Sequence, residues 1–272
     1  MSESLVLSRT QSRRPHVVII GGGFAGIAAA KALRHCEADV TIIDRRNHHI
    51  FQPLLYQVAT AVLAPADVAA PIRQLSARQK NVSVLLAEVI GVDLESRSIA
   101  VKYSGAGDKK IAFDYLVLAA GVQSSYFGHN EFAKYAPCLK TITDAQTIRS
   151  KILSAYEIAE STDDDDERRR QMTFVLVGAG PTGVELAASI AQMATTTLRA
   201  NFRRIDPATT SIFLLDGAKR VLPSFAESSS LKAAQRLAKL GVKVITSAMV
   251  EHIDEQGVTV GGKRIDSGTV LW

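Results

Sequence analysis

Val17-Val18-Ile19-Ile20-Gly21-Gly22-Gly23-Phe24-Ala25-Gly26 decides the fold class of this chain. Four β-branched residues run without alternation into a glycine cluster, as in a strand buried on both faces of a parallel sheet. Ile27 to Leu33 is Ala-rich and predicts a helix; Val40-Thr41-Ile42-Ile43 predicts a second strand ending at Asp44. This is the grammar of a βαβ unit whose first turn holds a dinucleotide. Gly21 makes the tight turn, Gly23 lets the backbone approach a pyrophosphate, and Gly26 lets helix and strand pack closely. The pyrophosphate then faces a helix N-terminus, where free N–H groups and the dipole favour an anion. Asp44 lies 23 positions after Gly21, near the spacing of about 20 at which an acid meets the ribose hydroxyls.

The same grammar returns. Phe174-Val175-Leu176-Val177 leads into Gly178-Ala179-Gly180-Pro181-Thr182-Gly183, a helix follows from Val184 to Ala188, and Ser211-Ile212-Phe213-Leu214-Leu215 ends at Asp216. Asp216 lies 38 positions after Gly178, so this copy carries an insertion. A carboxylate there repels a 2′-phosphate and favours NADH over NADPH, although Arg220 is close in sequence. Glu185, placed in the first turn of the second helix, reads either as a partner of the helix dipole or as a contact to the nicotinamide half of the cofactor. The residues alone give an α/β fold with two tandem Rossmann-like dinucleotide-binding domains.

Composition agrees. A chain of 272 residues with 47% hydrophobic and 22% charged residues can bury one large core or two ordinary ones. A net charge of +5 is mild, and no aromatic and basic constellation points to nucleic acid. Cys36 and Cys138 form no close redox pair, which suits a reducing compartment. No run of 18 apolar residues predicts a membrane span. The polar leader from Met1 reads as disordered rather than secretory, with a mitochondrial transit peptide as second choice.

Between the copies, residues 82–89, 98–103 and 113–118 predict strands, 105–108 a turn and 143–159 a helix. The run 163–170, acids then arginines, predicts a solvated loop. Residues 231–240 predict a helix stopped by Gly241, 242–247 a strand and 257–264 a hairpin.

At these residues the chain resembles the two-dinucleotide-binding-domain flavoproteins, and within them the type II NADH:quinone dehydrogenases. Asn47-His48-His49-Ile50-Phe51-Gln52-Pro53-Leu54-Leu55-Tyr56-Gln57-Val58-Ala59 carries most of the likeness. Tyr126-Phe127-Gly128-His129, Leu139-Lys140-Thr141, Gly178 to Glu185, and Arg220-Val221-Leu222-Pro223 with Phe225 share it, over roughly Pro15 to Trp272.

The resemblance implies that Gly21, Gly23, Phe24, Ala25, Gly26, Asp44 and Arg45 hold FAD. Val89 would meet its adenine through the backbone. Ala119-Ala120-Gly121 matches a motif that closes over FAD, with Ala120 where the family usually has a threonine. Pro53 and Gln57 would lie near the flavin ring. Gly178, Gly180, Pro181, Thr182, Gly183, Glu185 and Asp216 would hold NADH. The implied reaction passes hydride from NADH to FAD and electrons to a membrane quinone, without proton pumping. The protein would be cytoplasmic, and its longer parent would be peripheral to the inner face of the cell membrane, with a homodimer open for that parent.

Family members continue past the position of Trp272, with a second FAD segment and membrane-binding helices. The expectation is therefore a C-terminally truncated chain whose FAD domain is incomplete. Its parts would be a leader at 1–14, the first part of an FAD domain at 15–140, an NADH domain at 141–268, and the start of a return to the FAD domain at 269–272. Two other readings stay open: an NADH-binding remnant without turnover, and a soluble NADH-dependent flavoprotein reductase with a protein acceptor such as a ferredoxin.

Overall fold

A computed structural model of the chain describes residues 13–103 and 107–272. In chain order it begins β1 (His16–Ile20), α1 (Phe24–Ala32), β2 (Asp39–Asp44), β3 (His48–Ile50), α2 (Leu55–Ala59) and α3 (Pro65–Val68). It continues β4 (Ala69–Pro71), α4 (Ile72–Ser76), β5 (Val82–Leu86), β6 (Glu88–Asp93), β7 (Ser98–Tyr103), β8 (Gly107–Ala112) and β9 (Tyr115–Leu118). Next come α5 (Ile142–Ser161), α6 (Asp165–Gln171), β10 (Thr173–Val177), α7 (Pro181–Gln192), β11 (Ser211–Leu215) and α8 (Glu227–Lys239). The last elements are β12 (Val242–Ile245), β13 (Val250–Asp254), β14 (Gly257–Val260), β15 (Lys263–Asp266) and β16 (Thr269–Leu271).

The chain divides into two compact units. One holds the residues up to His49 and Ala69–Val122; the other holds Ile50–Val68 and Gln123–Trp272. In the first, a parallel sheet has the order β5-β2-β1-β9. The β1 run does not alternate because both faces are buried. Val17 and Ile19 pack with Ile27, Ala30 and Ile72, while Val18 packs with Ile43, Ile99, Val101 and Phe113. The second unit repeats this with the order β12-β11-β10-β16. Phe174 and Leu176 face Ile148, Ile190 and Leu237; Val175 faces Ile253, Val258 and Val270. Each unit also inserts a three-stranded antiparallel sheet before its last parallel strand, β6-β7-β8 and β13-β14-β15.

Several sequence expectations change. The run at 163–170 is not a loop, because its charges are spaced for a helix. Asp164 caps α6 by accepting from the Asp166 and Glu167 N–H groups, and acids fill the first turn and arginines the last, as the dipole prefers. Arg168 with Asp165, Arg169 with Asp166 and Arg170 with Glu167 pair at i,i+3. The strand expected at 82–89 breaks at Ala87, whose N–H donates to the Asp44 carbonyl at 3.0 Å as the chain leaves the parallel sheet. The turn expected at 105–108 lies mostly outside the described residues, as does nearly all of the leader at 1–14.

The expected boundaries shift too. Ile50–Val68, placed in the first domain from sequence, belongs to the second unit. Leu55, Val58 and Ala59 bury themselves with α5 and α7 residues, and the buried Thr60 and Ser189 hydroxyls meet at 2.7 Å. Of residues 269–272, expected to leave for the first domain, Thr269–Leu271 instead form β16. Phe174, Val175 and Leu176 pair in parallel with Thr269, Val270 and Leu271, which completes the second sheet.

Candidate functional site

The two glycine turns are built alike. Gly21 and Gly178 leave their strands with φ of +106° and +102°, a region that side chains disfavour. Their N–H groups donate to the Ile43 and Leu215 carbonyls, each at 2.8 Å. A Cβ on Gly26 would lie 1.8 Å from the Gly21 carbonyl oxygen, and one on Gly183 would lie 1.9 Å from that of Gly178. The helix therefore starts against the turn only because both positions lack a side chain. Gly23 and Gly180 are the N-caps of α1 and α7, and a Cβ on either would meet nothing within 4 Å. Open space at a helix N-terminus is what a pyrophosphate needs.

Each acid grips its own turn. Asp44 Oδ2 accepts from Gly22 N–H at 2.7 Å, and Oδ1 from Arg46 N–H at 2.8 Å. Asp216 Oδ2 accepts from Ala179 N–H at 2.5 Å, and Oδ1 from Ala218 N–H at 2.6 Å. A carboxylate oxygen has two lone pairs, so both oxygens keep a site for a ribose hydroxyl.

In the first unit the structure brings Ala119 to the turn. Its N–H donates to the Ile20 carbonyl at 2.8 Å, and its own oxygen sits 2.2 Å from where a Gly21 Cβ would be. Ala120 and Gly121 follow, exposed, with Gly121 at φ +74°. Phe24 and Ala25 are exposed on α1, and Arg45 is exposed just past β2. Val89 is half-buried on β6, at the edge of a bulge between Val89 and Gly91. The sequence reading gave His49 no role, yet its Nδ1 lies 3.1 Å from the Gly22 carbonyl and its ring meets Phe24 edge-on at 4.9 Å.

In the second unit two clefts flank Gly178. One, about 280 Å3, lies between Gly180, Thr182, Leu186, Ser125, Leu271 and Trp272. The other, about 470 Å3, runs from Asp216 and Ala218 past Met249 to Phe127 and Trp272. Gly178 and Trp272 line both. Ser125, Phe127, Met249 and Trp272 had no assigned role in the sequence, because three segments far apart in the chain, 125–127, 249 and 272, come together only in the fold. Arg220 is turned away from the second cleft: its guanidinium donates to Ser230 Oγ at 2.5 Å and to the Pro223 carbonyl at 2.9 Å.

Glu185 is the fifth residue of α7, not in its first turn. The dipole effect fades within that turn, which weakens the dipole account of this acid. Desolvation by the surrounding protein pushes its carboxyl above the usual carboxylate value. Pro53 is exposed in a short 3-10 turn, and Gln57 donates through Nε2 to the Tyr56 hydroxyl at 3.1 Å. Among the described residues no group of acids, histidines and cysteines is arranged to hold a metal.

A family model described as pyridine nucleotide-disulphide oxidoreductase matches residues 15–272. The type II NADH:quinone oxidoreductase NdhA of Mycobacterium tuberculosis is 46% identical over 264 residues, covering 95% of this chain and 56% of that protein. The mitochondrial external alternative NAD(P)H-ubiquinone oxidoreductase B2 of Arabidopsis thaliana is 31% identical, covering 97% and 47%. The solved structure of NDH2 from Plasmodium falciparum in complex with NADH matches with a TM-score of 0.88 at 26% identity, covering 96% of this chain and 55% of that one. The chain thus spans about half the length of these relatives.

Proposed function

Because the chain belongs to the pyridine nucleotide-disulphide oxidoreductase family, we propose that it supplies both nucleotide-binding units of an NADH:quinone oxidoreductase, with FAD on the first and NADH on the second. The observation that carries this reading is the pair of clefts meeting at Gly178, one beside the ribose-type acid Asp216 and one beside Gly180 and Thr182. An extended dinucleotide has that shape: two lobes joined by a pyrophosphate over a glycine turn.

FAD fits the first turn by its geometry, since a Cβ on Gly23, the N-cap of α1, would meet nothing within 4 Å, which leaves the open helix N-terminus that a pyrophosphate needs. FAD held there would supply the redox chemistry that links a nicotinamide donor to a quinone acceptor. The chain's own residues bind and orient. Gly178, Gly180, Pro181, Thr182 and Gly183 cradle the NADH pyrophosphate. Asp216 takes the adenosine ribose hydroxyls and repels a 2′-phosphate, and Arg220, engaged with Ser230 and Pro223, does not offset that repulsion. Glu185 accepts from the nicotinamide carboxamide. Gly21, Gly23, Phe24, Ala25, Gly26, Asp44, Arg45, Val89, Ala119, Ala120 and Gly121 frame FAD. The places of Pro53 and Gln57 beside the flavin rest on the likeness of residues 47–59.

No helix among the described residues is long and apolar enough to cross a membrane. Attachment to the inner face of the cell membrane, quinone as acceptor, and a homodimer belong to the proposal for the longer protein.

The test is an absorbance spectrum of the purified chain mixed with FAD and freed of excess, before and after anaerobic NADH. A retained flavin spectrum bleached by NADH supports the reading. A chain that retains no flavin and shows no NADH binding overturns it.

A further inference from the structure

We infer that Phe127 stacks on the adenine ring of the dinucleotide held by the second unit, with Met249 as the facing wall. This rests on reading that unit as an NADH site. Asp216 fixes the ribose at one end of the 470 Å3 cleft, so the base attached to that ribose must lie in the same cleft. Phe127 and Met249 line that cleft together with Tyr126, His129, Val250 and Trp272.

Both side chains are placed as a folded core would not place them. Phe127 is 81% exposed and Met249 70%. Phe127 also sits at φ +51°, a left-handed conformation uncommon for a bulky residue. Its neighbours hold it there. Tyr126 donates its hydroxyl to the Ala136 carbonyl at 2.8 Å, Phe132 is buried, and Ser125 Oγ accepts the Phe127 N–H at 3.1 Å. The loop is thus pinned on both sides while one ring projects over the cleft, 6.4 Å from Trp272. Met249 lies across Gly217, where a Cβ would come within 2.3 Å of its sulfur. A glycine next to the ribose acid gives the thioether room to lie flat at the cleft edge. A purine offers a π-face to an aromatic ring, and a flexible thioether adapts to the opposite face.

Trp272 is the chain's single tryptophan and lines this cleft, so its fluorescence reports occupancy. The experiment titrates ADP-ribose and reduced nicotinamide mononucleotide into the wild type, Phe127→Asn and Phe127→Tyr. Asparagine tolerates positive φ, so Phe127→Asn removes the ring without straining the loop, and circular dichroism checks its fold. The expected result is a rise of about tenfold in the ADP-ribose Kd for Phe127→Asn, recovery in Phe127→Tyr, and an unchanged mononucleotide Kd in all three. An unchanged ADP-ribose Kd in Phe127→Asn, or equal loss of both ligands, overturns the assignment while the NADH reading stands. A wild type that binds no ADP-ribose overturns both.

Discussion

The two parallel sheets share strand order, turn and acid, yet their surroundings differ. In the first unit Ala119 oxygen and the Ile72 Cδ1 would lie 2.2 Å and 2.4 Å from side chains on Gly21 and Gly22. In the second, a Cβ on Gly178 would meet nothing within 4 Å, and the position matching Gly22 is occupied by buried Ala179. The edge strands part in the same way: Leu118 at the end of β9 is 71% exposed, whereas Leu271 at the end of β16 is 2% exposed. What repeats is therefore the part dictated by backbone geometry: strand, tight turn, helix start and carboxylate. What does not repeat is the packing around it, which sets how many glycines each turn needs.

Substitutions that attack the shared part should hurt both units equally. Gly26→Ala and Gly183→Ala each put a methyl within 2 Å of a backbone oxygen, and neither partner can move without opening the turn. Each should cost about 3 kcal/mol by chemical denaturation. Gly23→Ala and Gly180→Ala enter open space and should cost under about 1 kcal/mol while weakening dinucleotide binding. A tolerated Gly183→Ala beside a disruptive Gly26→Ala would break the equivalence.

The next contrast tests the difference. Gly21→Ala and Gly178→Ala both force a side chain into positive φ, at about 1–2 kcal/mol. Only Gly21 adds the collision with Ala119, so Gly21→Ala should cost about 1–2 kcal/mol more than Gly178→Ala. Equal penalties in urea unfolding would mean that Ala119 yields freely.

The legible parts were those with a local cause. A β-branched run into a glycine turn, then an acid at a strand end, gave both nucleotide frames, because the turn and the helix start admit few residue types. The charged run at 163–170 was misread since composition hid its i,i+3 order. Residues 269–272 are given to the first domain from sequence, whereas 269–271 join the second sheet, because Thr-Val-Leu suits any buried strand and only pairing with β10 settles it. Phe127 and Met249 carry no recognisable role in sequence for a similar reason: they are 122 positions apart and line one cleft only once the chain has folded.

Asp216→Asn sharpens the second frame. The amide keeps one acceptor oxygen but turns an NH2 towards a backbone N–H, either that of Ala179 or that of Ala218. Stability should fall by about 1–2 kcal/mol. With the repelling charge gone, the ratio of NADPH to NADH dissociation constants should drop about tenfold, equivalent to about 1.4 kcal/mol. An unchanged ratio in fluorescence titration would move cofactor choice to another residue.

The smallest expected effect separates the units by acid sensitivity. Glu160 accepts the Arg203, Arg204 and Ile205 N–H groups at 2.9, 2.9 and 3.1 Å, which pins the insertion before β11. These bonds, that of Arg203 foremost, hold its carboxyl below the usual carboxylate value. In the same unit Arg264 lowers Asp254, and Arg170 lowers Glu167. A carboxyl depressed in the folded state contributes stability above its unfolded pKa and loses it as pH falls through the folded one. The melting midpoint of the second unit should therefore decline as pH drops below the ordinary glutamate range, and Glu160→Gln should flatten that decline while lowering the midpoint slightly at neutral pH. The first unit has its own depressed carboxyl, Asp114, which accepts the His16 N–H at 2.6 Å. Asp114→Asn should leave the second unit's acid slope untouched, and hydrogen exchange resolved by segment reads the two units separately. An acid slope that follows Asp114 rather than Glu160 in the second unit would show that the units do not unfold independently.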